Sequence, residues 1–163
     1  MKCISLFAGI GGFDLALTRL GHKIVYANEW DKYAAQTYEK NFKQIPDTRD
    51  ITIVRAGEIP DHELLVGGFP CQAFSIAGKR GGFKDIRGTL FYEIARILAE
   101  KKPRLFLLEN VKGLLNHAGG ETFHTILNTL DELGYDLQWQ VCNSKYFGVP
   151  QNRERVFIIG HLR

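Results

Sequence analysis

Two side chains stand out for the chemistry they could perform: Cys71, in Gly67-Gly68-Phe69-Pro70-Cys71-Gln72, and Glu109, in Leu108-Glu109-Asn110-Val111. Each follows a short apolar run (64–66 and 105–108) that reads as a buried strand, at the edge where α/β sheets hold their ligands. A thiol beyond a strand end, after a rigid proline, is placed as a nucleophile. Cys3 and Cys142 fall inside strand-like runs and read as inert. A carboxyl after Phe106-Leu107-Leu108 is costly to bury unless it is used or paired. The two together make a nucleophile–acid pair. Arg153 and Arg155, two apart on an extended segment, project to one side. They could grip an electronegative substrate atom, or simply form a basic edge strand that resists aggregation.

A second constellation lies near the N-terminus. The first apolar run leads into Ala8-Gly9-Ile10-Gly11-Gly12-Phe13, where glycines allow a sharp turn and close approach of a ligand. Asp14 stands where a third glycine would complete a dinucleotide fingerprint. An acid at a helix start disfavours a pyrophosphate but tolerates a phosphate-free cofactor. Glu29 follows the second strand and can accept from ribose hydroxyls, and Trp30 offers a flat face for adenine. Asp50, before a third strand, could take the adenine amino group. Taken singly, these features also fit a tight connection, a helix cap, a core tryptophan and a surface turn. Together they form a nucleoside pocket.

These positions need a scaffold, and the pattern supplies one. Strands are expected at 4–7, 23–27, 51–54, 64–66, 105–108, 135–142 and 156–159. Helices are expected at 13–20 (with Leu15, Leu17 and Leu20 inward), 31–42 capped by Asp31, 90–101 ending before Pro103, and 122–133. The alternation predicts a Rossmann-like, doubly wound α/β domain with a mainly parallel seven-stranded sheet. Its 163 residues are about one domain. No apolar run approaches the roughly 20 residues that span a bilayer, and the N-terminus is too short for a signal peptide, so a cytoplasmic protein is expected. The three cysteines and five histidines lack metal-type spacing, and no metal is expected. A net charge of +3 permits nucleic-acid binding without arguing for it.

Residues 72–89 differ in character. Gly78, Gly81, Gly82 and Gly88 interrupt regular structure, and Lys79, Arg80, Lys84 and Arg87 outnumber the one acid, Asp85. Such a loop inside a compact domain is expected to be mobile and functional.

The ordered set Phe-Ala-Gly-Ile-Gly-Gly, Glu-Trp, Phe-Pro-Cys-Gln, Gly-Thr-Leu-Phe, Glu-Asn-Val and Gln-Asn-Arg-Glu-Arg resembles the motif series of the C5-cytosine DNA methyltransferases, above all those of bacterial restriction–modification systems. The resemblance runs from Leu6 to Gly160; only Arg49, where the family often has glycine, departs from it. It implies an S-adenosylmethionine-dependent enzyme, with S-adenosylhomocysteine as product. Phe7, Gly9, Gly11, Gly12, Glu29, Trp30, Asp50, Ile51, Pro70 and Leu90 would line the cofactor pocket. Cys71 would add to cytosine C6, Glu109 would contact N3 and the amino group, Arg155 would hold O2, and Arg153 would orient the loop or a phosphate. Gln72, Ser75, Lys79, Arg80 and Arg87 would touch double-stranded DNA carrying the flipped base.

The same resemblance implies a catalytic and cofactor-binding domain over 1–163, without the family's target-recognition region and last two motifs. A second chain supplying them is therefore expected, along with an apolar patch exposed beside the first strand. Competing readings are a tRNA cytosine-5 methyltransferase and a non-catalytic nucleic-acid-binding module or inactive fragment. The residues flanking Cys71 favour the DNA enzyme over the first. The joint presence of Cys71, Glu109 and Arg155 argues against the second.

Overall fold

The computed structural model describes residues 1–70 and 90–163; Cys71 and the loop positions Gln72, Ser75, Lys79, Arg80 and Arg87 lie outside the described residues, as does the expected mobile loop. Among the described residues, six strands form one sheet in the order β2-β1-β3-β4-β6-β5. They are β1 (Lys2–Leu6), β2 (Lys23–Asn28), β3 (Leu64–Gly68), β4 (Leu105–Val111), β5 (Tyr135–Asn143) and β6 (Glu154–Leu162). The first four run parallel, while β6 is antiparallel to both its neighbours. The order reverses at β1, and that reversal opens a crevice at the carboxyl ends of β1 and β3.

Helices cover both faces. On one, Phe13 and Leu17 of α1 (Gly12–Arg19) pack with Cys3, Leu64 and Val66. On the other, α3 (Leu90–Lys101) and α4 (Glu121–Glu132) bring Ile94, Leu98, Ile126 and Leu130 against Leu65, Phe106 and Ile158. Both α3 and α4 place apolar residues three or four apart, the spacing of one helical face. Helix α2 (Lys32–Phe42) starts where the Asp31 carboxylate accepts from the backbone N–H of Tyr33 and Ala34.

Three expectations are corrected. Residues 51–54 are no strand: Ile51–Ile53 form a 3-10 turn. The Asp50 carboxylate accepts from the N–H and the hydroxyl of Thr52 (2.9 and 2.8 Å), a cap that curls the chain. Ile51 and Val54, three apart, are then both buried, so the β-branched run satisfies helical rather than alternating periodicity. Leu15 and Leu20 are 47% and 73% exposed; on so short a helix only the row containing Leu17 meets the sheet. Strand β4 continues past Leu108 to Val111 because β6 pairs with it there, so Glu109 lies within a strand, opposite Phe157.

A further exposed apolar surface lies farther along the sheet. Beside β1 the sheet is covered by α1. The register sets Leu107, Glu109, Arg155, Phe157, Ile159 and Gln140 on that same face, farther along the sheet. They line an open trough of about 640 Å³. Phe13 touches its rim, edge-on to the Phe157 ring, and beyond it Ile159 is half exposed.

Candidate active site

The chain leaves β1 through Phe7 in a left-handed conformation (φ 54°), rare for a side chain of that size and a marker of functional turns. Gly11 follows at φ 94°, and a Cβ there would strike the Phe42 ring, so packing alone demands glycine. Gly9 and Gly12 differ: among the described residues, a Cβ on either would meet no atom within 4 Å, which leaves space beside the turn. Gly9 donates its N–H to Glu29 (2.7 Å), whose other carboxylate oxygen accepts from the Asp31 N–H (2.8 Å). Glu29 is buried and held, while the neighbouring Trp30 is 71% exposed and free to stack.

Asp14 does not face this turn. It is fully buried and accepts from the hydroxyls of Ser5 and Tyr38, each at 2.7 Å, which ties α1 to β1 and α2. Burial pushes its carboxyl above the usual range against the pull of those hydroxyls. The position of the missing third glycine is thus an internal clamp. Asp50 is exposed, and its capping bonds to Thr52 hold its carboxyl below the usual range, as an anionic acceptor.

The second cluster sits at the ends of β3 and β4. Glu109 forms an ion pair with Arg155 (Oε1 to Nε, 2.9 Å), with both side chains roughly four-fifths buried. Gly68 makes room for it: a Cβ there would lie 3.1 Å from Glu109 Oε2. Asn110, which sequence reasoning left without a role, donates its amide to the carbonyl of Phe69 (2.9 Å) and so fixes the chain one residue before Pro70. Arg153 is exposed and lines the trough with Arg155. Its backbone N–H donates to Asn143 Oδ1, and the Asn143 amide donates to Asn152. Pro70 and Leu90 flank residues 71–89.

The structure therefore brings Gly9, Glu29 and Trp30 together, and Glu109 with Arg155 and Arg153. Among the described residues no group of three His, Cys, Asp or Glu could hold a metal, and no helix is long and apolar enough to cross a membrane.

A family model for C-5 cytosine-specific DNA methylases matches residues 1–163. The chain belongs to that family. Type II methyltransferase M.HhaI of Haemophilus parahaemolyticus is 52% identical over 98% of this chain and 48% of its own length. Type II methyltransferase M.SsoII of Shigella sonnei is 55% identical over 98% and 42%. Among solved structures, the Dnmt2 methyltransferase of S. pombe superposes with a TM-score of 0.82 at 26% identity, covering 99% of this chain and 51% of that one. This DNA methylase family member thus has the α/β methyltransferase fold, and its family implies a methyl donor. It spans about half the length of the curated relatives it matches.

Proposed function

We propose that residues 1–163 form the catalytic and cofactor-binding domain of a DNA (cytosine-5)-methyltransferase. The observation that carries this reading is the Glu109–Arg155 pair, held at 2.9 Å beside Gly68, next to Asn110, which pins Phe69 two residues before Cys71. S-adenosylmethionine fits the other cluster: the space at Gly9 and Gly12, a buried carboxylate at Glu29 and an exposed ring at Trp30 suit a nucleoside. When bound, it supplies an electrophilic methyl group on a sulfonium.

The chain's own residues would do the rest. Cytosine C5 is a poor nucleophile until its ring loses aromaticity. The Cys71 thiolate adds to C6, and the ring's electrons become available at C5. Glu109 contacts N3 and the amino group, Arg155 holds O2 and Arg153 orients the loop or a phosphate, so charge arising at the ring is stabilised where it develops. After methylation, loss of the C5 proton expels the thiolate and restores the ring. A thiol of pKa ~8.5 is only partly ionised at neutral pH yet strongly nucleophilic. The base must leave the helix first, at a cost of a few kcal/mol. Gln72, Ser75, Lys79, Arg80 and Arg87 are the proposed contacts to that DNA. Action on DNA in a restriction–modification system would place the protein in the cytoplasm.

The open trough beside the Glu109–Arg155 pair supports a further requirement, a second chain that covers it and reads the flanking bases. The test is labelled methyl transfer to duplex DNA and to tRNA, with and without such a chain, alongside trapping on 5-fluorocytosine DNA. Transfer to DNA should appear only with the second chain, and the trapped adduct should map to Cys71 and vanish in Cys71→Ser. Transfer to tRNA alone, or an adduct on Cys3 or Cys142, would overturn the reading.

A further inference from the structure

Asn28, the last residue of β2, is buried at the sheet edge, and nothing in the chemistry above uses it. Its carboxamide donates two hydrogen bonds, to the carbonyls of Asp47 (3.0 Å) and Arg49 (2.9 Å). The backbone reinforces the attachment: Glu29 N–H donates to the Asp47 carbonyl (3.0 Å), and Asp47 N–H donates to the Ala27 carbonyl (2.8 Å). Residues 47–49 are thereby clipped to β2 immediately before Asp50.

The outer side of this segment is tied as well. The Tyr26 hydroxyl donates to Asp47 (3.0 Å), and Arg49 bridges Asp47 (2.7 Å) and Glu58 (2.8 Å). The clip fixes the backbone just before Asp50 to the end of β2, which Glu29 and Trp30 follow directly. Among the described residues, both hydrogen bonds to Asp50 fall on Oδ1, leaving Oδ2 as an acceptor.

We infer that Asn28 is a positioning residue for adenine recognition. By gripping the carbonyls of Asp47 and Arg49 it sets the distance between the Asp50 carboxylate and the Trp30 ring, and so the preference for a 6-amino purine. This rests on the proposed cofactor reading of Trp30 and Asp50. A side chain with no donor at this position would leave cofactor binding possible but blunt the discrimination at C6 of the purine. A merely structural Asn28 would weaken all ligands alike.

The test is calorimetric binding of three probes: S-adenosylhomocysteine, its 6-oxo counterpart S-inosylhomocysteine, and its 2′-deoxyribose counterpart. In the unaltered chain the 6-oxo probe should bind about 10-fold or more weakly, the effect of losing a hydrogen bond to a charged group. In Asn28→Ala that ratio should shrink to about 3-fold or less, while the penalty for the 2′-deoxy probe, read by Glu29, stays the same. If Asn28→Ala does not fold, Arg49→Ala, altered at a half-exposed side chain of the same segment, should shift the ratio in the same direction. An undiminished 6-oxo ratio in a folded variant would overturn the role of Asn28. Equal binding of the 6-amino and 6-oxo probes by the unaltered chain would instead overturn the role of Asp50, and the inference with it. The 2′-deoxy penalty reports separately on whether the ribose site stands.

Discussion

The two ends of the carboxyl edge of this sheet are built differently. At β1 and β2, the buried polar side chains Asp14, Asn28 and Glu29 are already engaged. Glu29 is held by two backbone N–H groups, Asp14 by two hydroxyls, and Asn28 holds two carbonyls. At β4 and β6, the Glu109–Arg155 ion pair stands at the mouth of an open, largely apolar trough. The first end is preorganised, so little entropy would remain to be lost on binding the proposed nucleoside. The second still has surface to bury. An ion pair with a wet flank is weaker than the same pair in a dry site, so covering the trough should strengthen it.

The largest effect should fall on the open end. In a complemented enzyme, Glu109→Gln should lower the rate of methyl transfer by roughly 10²–10⁴-fold, the usual contribution of a positioned acid–base group, with cofactor affinity held within about twofold. Single-turnover transfer beside calorimetry checks this, and a matching loss of cofactor affinity would mean that the two ends are not separable.

A smaller effect is expected at the preorganised end. Trp30→Ala should weaken S-adenosylhomocysteine about 10-fold through lost stacking, with stability within about 0.5 kcal/mol because the ring is already exposed. Paired titration and urea unfolding would show it; a large loss of stability would mean that Trp30 is a packing residue.

The smallest effect concerns pH. Asp14 has its carboxyl raised by burial, so the fold favours the protonated form. Its contribution to stability is fully present below the ordinary carboxylate value of about 3.9 and is lost as pH rises through its raised value. Asp14→Asn should flatten that decline, seen as urea midpoints that vary less with pH above about 4. An unchanged slope would mean that the clamp is no more easily protonated than a free carboxyl.

Much of this arrangement was legible in the residues. Helix α3 ends at Lys101, as expected, because Pro103 follows and a steady apolar period runs up to it. The cap at Asp31 was equally plain. The error at 51–54 came from weighing Ile-Thr-Ile-Val by β propensity, when Asp50 two residues before Thr52 was the stronger local signal. The Glu109–Arg155 pair could not be read, because it depends on the register of antiparallel strands far apart in the chain. Asn28 and Asn110 were hidden for a related reason: an amide that grips a distant carbonyl leaves no periodic trace. The burial of Asp14 was missed because its partners, Ser5 and Tyr38, come from separate elements.

The placement of β6 between β4 and β5 also sets an order of assembly. Strands β5 and β6 are neighbours in sequence and antiparallel, so they can close as a hairpin through the connection at 144–153, braced by the Asn143 amide donating to Asn152. The parallel strands β1 to β4 emerge earlier from the ribosome and can pair without them. The edge that carries Gly9 and Glu29 can then form while Glu109 still lacks its guanidinium. Only docking of the hairpin against β4 brings Arg155 across, so the proposed donor pocket can be finished before the proposed grip on the base exists.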